Sequence, residues 1–164
     1  MRTPSRRRAL RATALMALAL LACTKDTSPA GPTPAAANTV AFGGSSVTVA
    51  IAATVASREH GLMGMTRMAA DSGMLFVFAD DRQRAFWMKD TPMPLSIAFL
   101  DAGKKVIFLA DMPANSTTLY GGLNAGTMRY ALEVNQGWFA SHGVTVGTNA
   151  TFTLPAGLVI ALDP

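Results

Sequence analysis

The side chains most able to hold a ligand are concentrated between residues 86 and 95 of this chain. If that segment is extended, Trp87 and Lys89 lie on the same side of the strand. An indole beside an ammonium group, followed directly by Asp90, can hold a small polar molecule by stacking and by charge-assisted hydrogen bonds. The alternative interpretation is that Trp87 is a core or rim aromatic and that Lys89 is a solubilising surface charge.

Glu133 is the fourth candidate for a binding residue, because it interrupts an otherwise apolar strand pattern. If its side of the strand is buried, the carboxylate needs a partner, and Lys89 or Arg129 is available. A buried pair of this kind serves equally as a structural lock or as an acid–base site. No second carboxylate stands at a readable spacing, so the pattern favours non-catalytic binding. A hydrolase-type enzyme with Glu133 or Asp90 as its base is the alternative.

Methionines offer a further alternative, since Met63, Met65 and Met68 stand close together in the sequence. Thioethers suit Cu(I), and a copper-handling module would use Met65, Met68 and His60. The competing interpretation is that these methionines fill the core. The chain has no Cys–His spacing for zinc, no phosphate-cradling Gly-rich loop and no serine nucleophile motif, so no cofactor is predicted.

The sequence pattern predicts many short strands and few helices as the elements that position these side chains. Thr54 is a good N-cap for a short helix over residues 55–63, whose end Gly61 and Gly64 weaken. One helical turn is predicted at 138–142. Period-two patterns and turn signals predict strands from about Thr39 onward, at 47–51, 74–78, 85–88, 95–100, 104–110, 129–134 and 150–154. The predicted fold class is mainly β (α+β), a small closed or partly closed β-barrel with one or two short helices.

The N-terminal part of the chain has the features of an export signal. Five arginines precede position 12, and residues 12–22 form an uncharged apolar run that is too short to span a bilayer as a helix. The run ends in Leu20-Leu21-Ala22-Cys23, which resembles the lipobox of bacterial lipoproteins, where the cysteine is acylated. Cys23 is the only cysteine. It therefore has no partner for an internal disulfide, and lipidation is its predicted use.

Three segments follow from this pattern: a lipoprotein-type signal peptide at 1–22, a lipidated cysteine with a Pro/Ala-rich tether at 23–38, and a single β-barrel-like domain at 39–164. Prolines make the tether a semi-rigid spacer. Thr24 stands where an aspartate would favour retention in an inner membrane, so we expect an outer-membrane anchor and a domain facing the periplasm or the cell exterior. Residues 5–11 also resemble a twin-arginine motif, which leaves the export route open.

The distribution of charge excludes a nucleic-acid partner. The formal net charge is +4, yet from residue 23 onward nine basic residues stand against ten acidic ones. A domain with this balance lacks the basic surface that nucleic acids require. The expected partners are the membrane, through the lipid anchor, and an unidentified small molecule or envelope protein, and the domain is expected to be a monomer.

Several motifs of this chain resemble those of the domain of unknown function 192 family. They occur in the family's order and cover about residues 47–152: Gly61-Leu62-Met63, Gly73-Met74-Leu75-Phe76-Val77-Phe78, Phe86-Trp87-Met88-Lys89 with Thr91 and Pro94-Leu95, and Leu132-Glu133-Val134 with Gly137. The resemblance implies a compact β-barrel-like fold with one or two short helices and implies no activity. Asp90 stands where the family usually has asparagine, and Ser96 where it usually has aspartate. A property that needs an aspartate at position 96 is therefore not implied for this chain.

Overall fold

The chain folds into a mainly β domain with two short α-helices. The computed structural model describes residues 38–163. In chain order the elements are β1 (Thr39–Phe42), β2 (Ser45–Ala52), α1 (Val55–His60), β3 (Ser72–Arg82), β4 (Ala85–Phe86), β5 (Leu95–Leu100), β6 (Val106–Met112), β7 (Tyr120–Gly121), a 3-10 helix (Gly122–Ala125), β8 (Met128–Asn135) and α2 (Trp138–Ser141). Within residues 38–163, no helix has the length and apolar character needed to cross a membrane.

Six strands form one open sheet in the order β1-β2-β3-β8-β5-β6, and β4 pairs with β7 in a separate sheet of two strands. Every pair is antiparallel except β2 with β3, which α1 connects as a parallel crossover. The two edge strands, β1 and β6, do not pair with each other in the described part of the chain. The sheet therefore does not close into a barrel, whereas a closed or partly closed barrel was expected. Sequence periodicity shows which side of a strand is buried, but it does not show which strands become edges.

The strand predicted at 150–154 is not formed. Thr151 makes a single bridge with Ala41 through two backbone hydrogen bonds of 2.9 and 2.8 Å. The chain then leaves the sheet edge, and Pro155 has no amide hydrogen with which to continue a ladder. Because Ala150 and Phe152 are nevertheless buried, the apolar alternation that suggested a strand records burial rather than pairing.

The central strands bury both faces of the large sheet. On β8, Leu132 and Val134 join one apolar cluster, whereas Ala131 joins the other. Glu133 points to the same side as Ala131, because side chains alternate along a strand. The first face is covered by α2, through Trp138. The second is covered by the turn after α1 and by the chain that follows β4, and it carries the candidate site.

Helix α1 begins at the predicted N-cap and ends earlier than predicted. Thr54 Oγ1 accepts from the backbone N–H of Ser57 at 3.1 Å, and Ser57 Oγ accepts from the backbone N–H of Thr54 at 3.0 Å. This reciprocal capping box confirms Thr54 as the N-cap. The helix stops at His60 because Gly61 takes a positive φ of 50° and turns the chain away.

The segment after β4 keeps its predicted alternation without remaining a strand. β4 covers only Ala85–Phe86, although a strand was predicted over 85–88. The backbone N–H of Met88 donates to the carbonyl oxygen of Ser116 at 2.8 Å, which holds the segment against the following loop. Met88 is buried, while Trp87 and Lys89 remain exposed. The two candidate binding residues are therefore on the outer side, as their spacing predicts.

Candidate functional site

A cavity of about 440 Å³ lies on the second face of the sheet, between the sheet and the elements that cover it. Its floor is formed by side chains of β3 and β8, including Phe76 and Glu133. Phe86 and Trp87, at the end of β4, line it as well. Further lining residues come from α1 and the turn that follows it, and from Asp163 near the C-terminus. A concave site of this volume, lined by both apolar and charged side chains, suits a small molecule.

Glu133 is a buried residue whose side chain lines the cavity. It is only 4% exposed, and its backbone lies in register between Met74 on β3 and Ile97 on β5. Within residues 38–163, no side chain forms a hydrogen bond or an ion pair with its carboxyl group. Burial raises the pKa of Glu133 from 4.5 to about 8, because the charged form is poorly solvated there. The group is therefore mostly protonated at neutral pH.

The two cations that the sequence offered as partners for Glu133 are bound elsewhere. Arg129 Nε donates to Asp81 Oδ1 at 2.7 Å on the exposed side of the sheet. The ammonium of Lys89 lies 5.6 Å from the centroid of the Trp87 ring. The expectation of a buried pair between Glu133 and either cation is therefore wrong. An alternating pattern indicates that a carboxylate is buried, but not which cation can reach it.

Of the four sequence-predicted binding residues, the structure brings Trp87 and Glu133 to the cavity and leaves Lys89 and Asp90 outside its lining. Asp90 has a positive φ of 55°, and its carbonyl oxygen accepts from the N–H of Gly64 at 2.8 Å. Asparagine and aspartate are the residues other than glycine that best tolerate this backbone region. The backbone at position 90 thus accepts the asparagine of the family pattern and the aspartate found here.

Two buried arginines, which the sequence did not single out, line one side of the cavity. Arg58 and Arg84 both bind the carboxylate of Asp163, at 2.6 and 2.9 Å, and Arg84 also binds Asp80 at 2.5 Å. Hydrogen bonding with Arg84 is the main cause that lowers the pKa of Asp80. Asp163 lies 105 residues from Arg58 and 79 from Arg84. No local pattern could have revealed a contact over such separations.

The cavity walls carry an aromatic cluster. The ring of Phe86 meets that of Phe76 edge to face, with 5.0 Å between centroids, and that of Phe78 at 6.4 Å. The guanidinium groups of Arg58 and Arg84 lie 5.0 and 3.9 Å from the centroid of Phe78. These contacts fix the rings and the guanidinium groups against one another, so the cavity is bordered by side chains with little freedom to collapse into it.

The three residues of the copper alternative differ in their surroundings. His60 lines the cavity, Met65 is 42% exposed, and Met68 packs against the apolar cluster of the second face. No group of three or more His, Cys, Asp or Glu side chains within residues 38–163 is arranged to hold a metal ion. A copper site built from thioethers needs no such group and stays a prediction.

Ser96, the second departure from the family pattern, is part of a satisfied polar contact on the first face. Its hydroxyl donates to Asp111 and accepts from the backbone N–H of Gly137 at 2.8 Å. Ser96 and Asp111 are direct partners across β5 and β6. A carboxylate is therefore present opposite position 96, but it lies on the face of the sheet away from Glu133.

Two solved structures resemble this chain over most of its length. One is a protein of Sinorhizobium meliloti 1021, described provisionally as a transcription regulator. It is 29% identical with a TM-score of 0.66, and the match covers 74% of this chain and 98% of that one. The other, of unknown function, is from Novosphingobium aromaticivorans DSM 12444. It is 26% identical with a TM-score of 0.64, covering 73% and 89%.

No curated protein matches the chain significantly. A family model does match it, over residues 38–152, and that family is DUF192, described as an uncharacterized ACR. The matched region contains every strand of the open sheet and all of the motifs around Trp87 and Glu133. The chain therefore belongs to the DUF192 family.

Proposed function

We propose that this protein binds a small molecule in the cavity bordered by Trp87 and Glu133, and that it acts by binding rather than by catalysis. The observation that carries the proposal is the carboxyl group of Glu133, which lines the cavity and forms no hydrogen bond or ion pair with another side chain within residues 38–163. A carboxyl group that borders a concave site can form a hydrogen bond or an ion pair with a ligand bound there.

Catalysis has less support than binding. The alternative of an enzyme with Glu133 or Asp90 as base and Lys89 as its electrostatic partner needs these groups around one substrate. Only Glu133 lines the cavity, and Asp90 and Lys89 lie outside that lining. The label of transcription regulator on one similar structure is not carried over either, since nine basic against ten acidic residues from position 23 onward give no cationic surface for DNA.

The experiment is a thermal-shift screen of the purified protein against amines, sugars, nucleotides, cell-wall fragments, Cu(I) and Zn(II). A ligand present at about 100 times its Kd stabilises the fold by about 2.7 kcal/mol, which is a visible rise in Tm. We expect Trp87→Ala and Glu133→Gln to reduce the shift, Lys89→Ala to reduce it less, and Asp81→Asn, a carboxylate-to-amide change outside the cavity, to keep it.

A flat screen, or a shift that survives both Trp87→Ala and Glu133→Gln, would count against the proposed site. A Cu(I) shift that is lost in Met65→Leu and Met68→Leu, while Glu133→Gln leaves it intact, would favour the copper alternative instead. Recovery of an envelope protein by crosslinking, with no small ligand found, would point to a structural role.

We also propose that the domain is held at a membrane by acylation of Cys23, in the cell envelope. Support comes from the apolar run before Cys23 and from the proline-containing segment after it. Both lie outside the described residues. Labelling of growing cells with an alkyne fatty acid should mark the wild-type protein in the membrane fraction and should leave Cys23→Ser unmarked. Wild-type protein without an acyl chain would overturn the anchor.

A further inference from the structure

We infer that the ligand of this cavity is an organic cation, a primary amine or quaternary ammonium with a small apolar body, held between the carboxyl group of Glu133 and the aromatic walls. The inference rests on the proposed function and names its ligand class. It follows from the groups that border the cavity: a carboxyl group without a partner, aromatic rings, and arginines whose charge is already matched.

Glu133 supplies the anionic partner. An ammonium group donates hydrogen bonds and carries the charge that stabilises a carboxylate in a poorly solvated place. Burial keeps the pKa of Glu133 at about 8. Binding of a cation would favour the charged form, so the carboxyl group would release its proton to solvent as the cation enters. Charge then balances, with one cation bound and one proton lost.

The aromatic side chains that border the cavity supply a second attraction for a cation. The faces of aromatic rings attract cations, and ammonium ligands are often held by several rings together. Phe76, Phe86 and Trp87 all border the cavity. Trp87 already has an ammonium group near its ring, that of Lys89 at 5.6 Å from the centroid. In this structure the positive charge beside the indole is that of Lys89, which lies outside the cavity lining, so Phe76 and Phe86 are the aromatic side chains of the cavity without a cation of the protein beside them in residues 38–163.

The charged groups around the cavity favour a cation over an anion. Arg58 and Arg84 donate to the carboxylates of Asp163 and Asp80 and to backbone carbonyl oxygens. An anionic ligand would have to displace these contacts. Arg58 Nε, which has no hydrogen-bond partner in the described part of the chain, is fully buried. Besides these groups, the titratable side chains that line the cavity are Glu59 and His60, both on α1.

The test compares two cations with their uncharged counterparts by isothermal titration calorimetry on the purified protein. The probes are choline against 3,3-dimethylbutan-1-ol, and benzylamine against benzyl alcohol. We expect each cation to bind at least about tenfold more tightly than its counterpart. Below the pKa of Glu133, choline affinity should rise up to about tenfold per pH unit, because only the deprotonated carboxyl group binds it well. Choline binding should release a proton, seen as a dependence on the ionisation enthalpy of the buffer.

Glu133→Gln keeps the shape of the side chain and removes the charge. It should weaken choline binding at least about tenfold and abolish both its pH dependence and its proton release. Asp81→Asn is the matched control and should leave all three unchanged, and thermal melting shows whether each variant is folded. Equal or tighter binding of the uncharged compounds would overturn the cation inference and leave the proposed binding function standing.

Two other outcomes would also overturn the inference. If choline bound Glu133→Gln as tightly as the wild type, Glu133 would not be its counterion. If none of the four probes bound while the broader screen gave a hit lost in Glu133→Gln, the cavity would hold a ligand of another class. Failure of that broader screen would instead remove the proposed function itself, so the two failures are distinguishable.

Discussion

At the scale of single residues, the proposed binding site depends most on Glu133, whose side chain lines the cavity. The strand pattern predicts that its side of β8 is buried, and it is 4% exposed. The pattern also suggests Lys89 or Arg129 as partners, yet Asp81 binds Arg129 and Lys89 lies near Trp87. A choice among several possible ion pairs depends on the folded distances, which no local pattern contains. An isolated buried acid is therefore recognised only from the structure.

The pH dependence of stability follows from the raised pKa of Glu133. Its folded value of about 8 lies above the ordinary 4.5, so the folded state keeps a proton that the unfolded chain releases between these two values. Stability from this group is complete below about pH 4.5 and is lost as the pH rises through 8, with a slope on the order of 1 kcal/mol per pH unit. Urea unfolding between about pH 5 and pH 8 measures it.

Glu133→Gln separates this effect from every other titrating group. The amide does not ionise, so we expect the urea midpoint of the variant to change much less with pH than that of the wild type across the same range. Parallel curves for the two proteins would mean that the carboxyl group of Glu133 is solvated in the folded state.

At the scale of secondary structure, most strands and both helices could be predicted, but the full order of the strands in the sheet could not. The strand over residues 95–100 has the predicted ends, and α1 has its predicted N-cap at Thr54. The open sheet was not predicted. The apolar alternation at 150–154 is the same whether this segment pairs as a strand or only buries Phe152, so the sequence could not show that the strand is absent. The two-stranded sheet of β4 and β7 was missed as well, since strands of two residues carry almost no periodic signal.

The packing of β7 against the large sheet requires a glycine at position 121. A Cβ atom there would stand 2.2 Å from Phe99 Cε2 and 2.7 Å from the carbonyl oxygen of Arg84, and φ is +102°. We therefore expect Gly121→Ala to lower the free energy of unfolding by at least about 2 kcal/mol and to loosen the cavity wall at Phe86.

Gly44→Ala is the matched control, because nothing lies within 4 Å of the added methyl group and its φ is not positive. Its effect should stay within about 0.5 kcal/mol in the same urea titration. Equal losses in the two variants would show that β7 does not pack on Phe99 as described.

At the scale of the whole molecule, the end of the chain is tied to the side of the cavity. Asp163 bridges Arg58 and Arg84, and the backbone N–H of Ala161 donates to the carbonyl oxygen of Ala53 at 2.9 Å. Arg58 and Arg84 are only 5% and 10% exposed, so their charges depend on these partners. The segment around Asp163 thereby borders the cavity, a position that residues so far apart in sequence could not reveal.

Loss of the Asp163 ion pairs should lower the free energy of unfolding measurably. We expect Asp163→Ala to cost about 1–3 kcal/mol, because it leaves hydrogen bonds of two buried guanidinium groups unmade. Asp81→Ala breaks the exposed pair with Arg129 and should cost no more than about 1 kcal/mol. Urea unfolding of the two variants compares these effects, and a loss in Asp163→Ala no larger than in Asp81→Ala would show that the tie does not stabilise the domain.

The proposed binding site depends most on the protonation state of one carboxyl group, and ¹³C NMR of the side-chain carboxyl carbon of Glu133 reports that state directly. In the protein without ligand, we predict a titration midpoint near 8, and addition of choline should move it downward. A midpoint near the ordinary value of 4.5 would show a solvated group and would contradict the buried, unpaired acid on which the binding site rests.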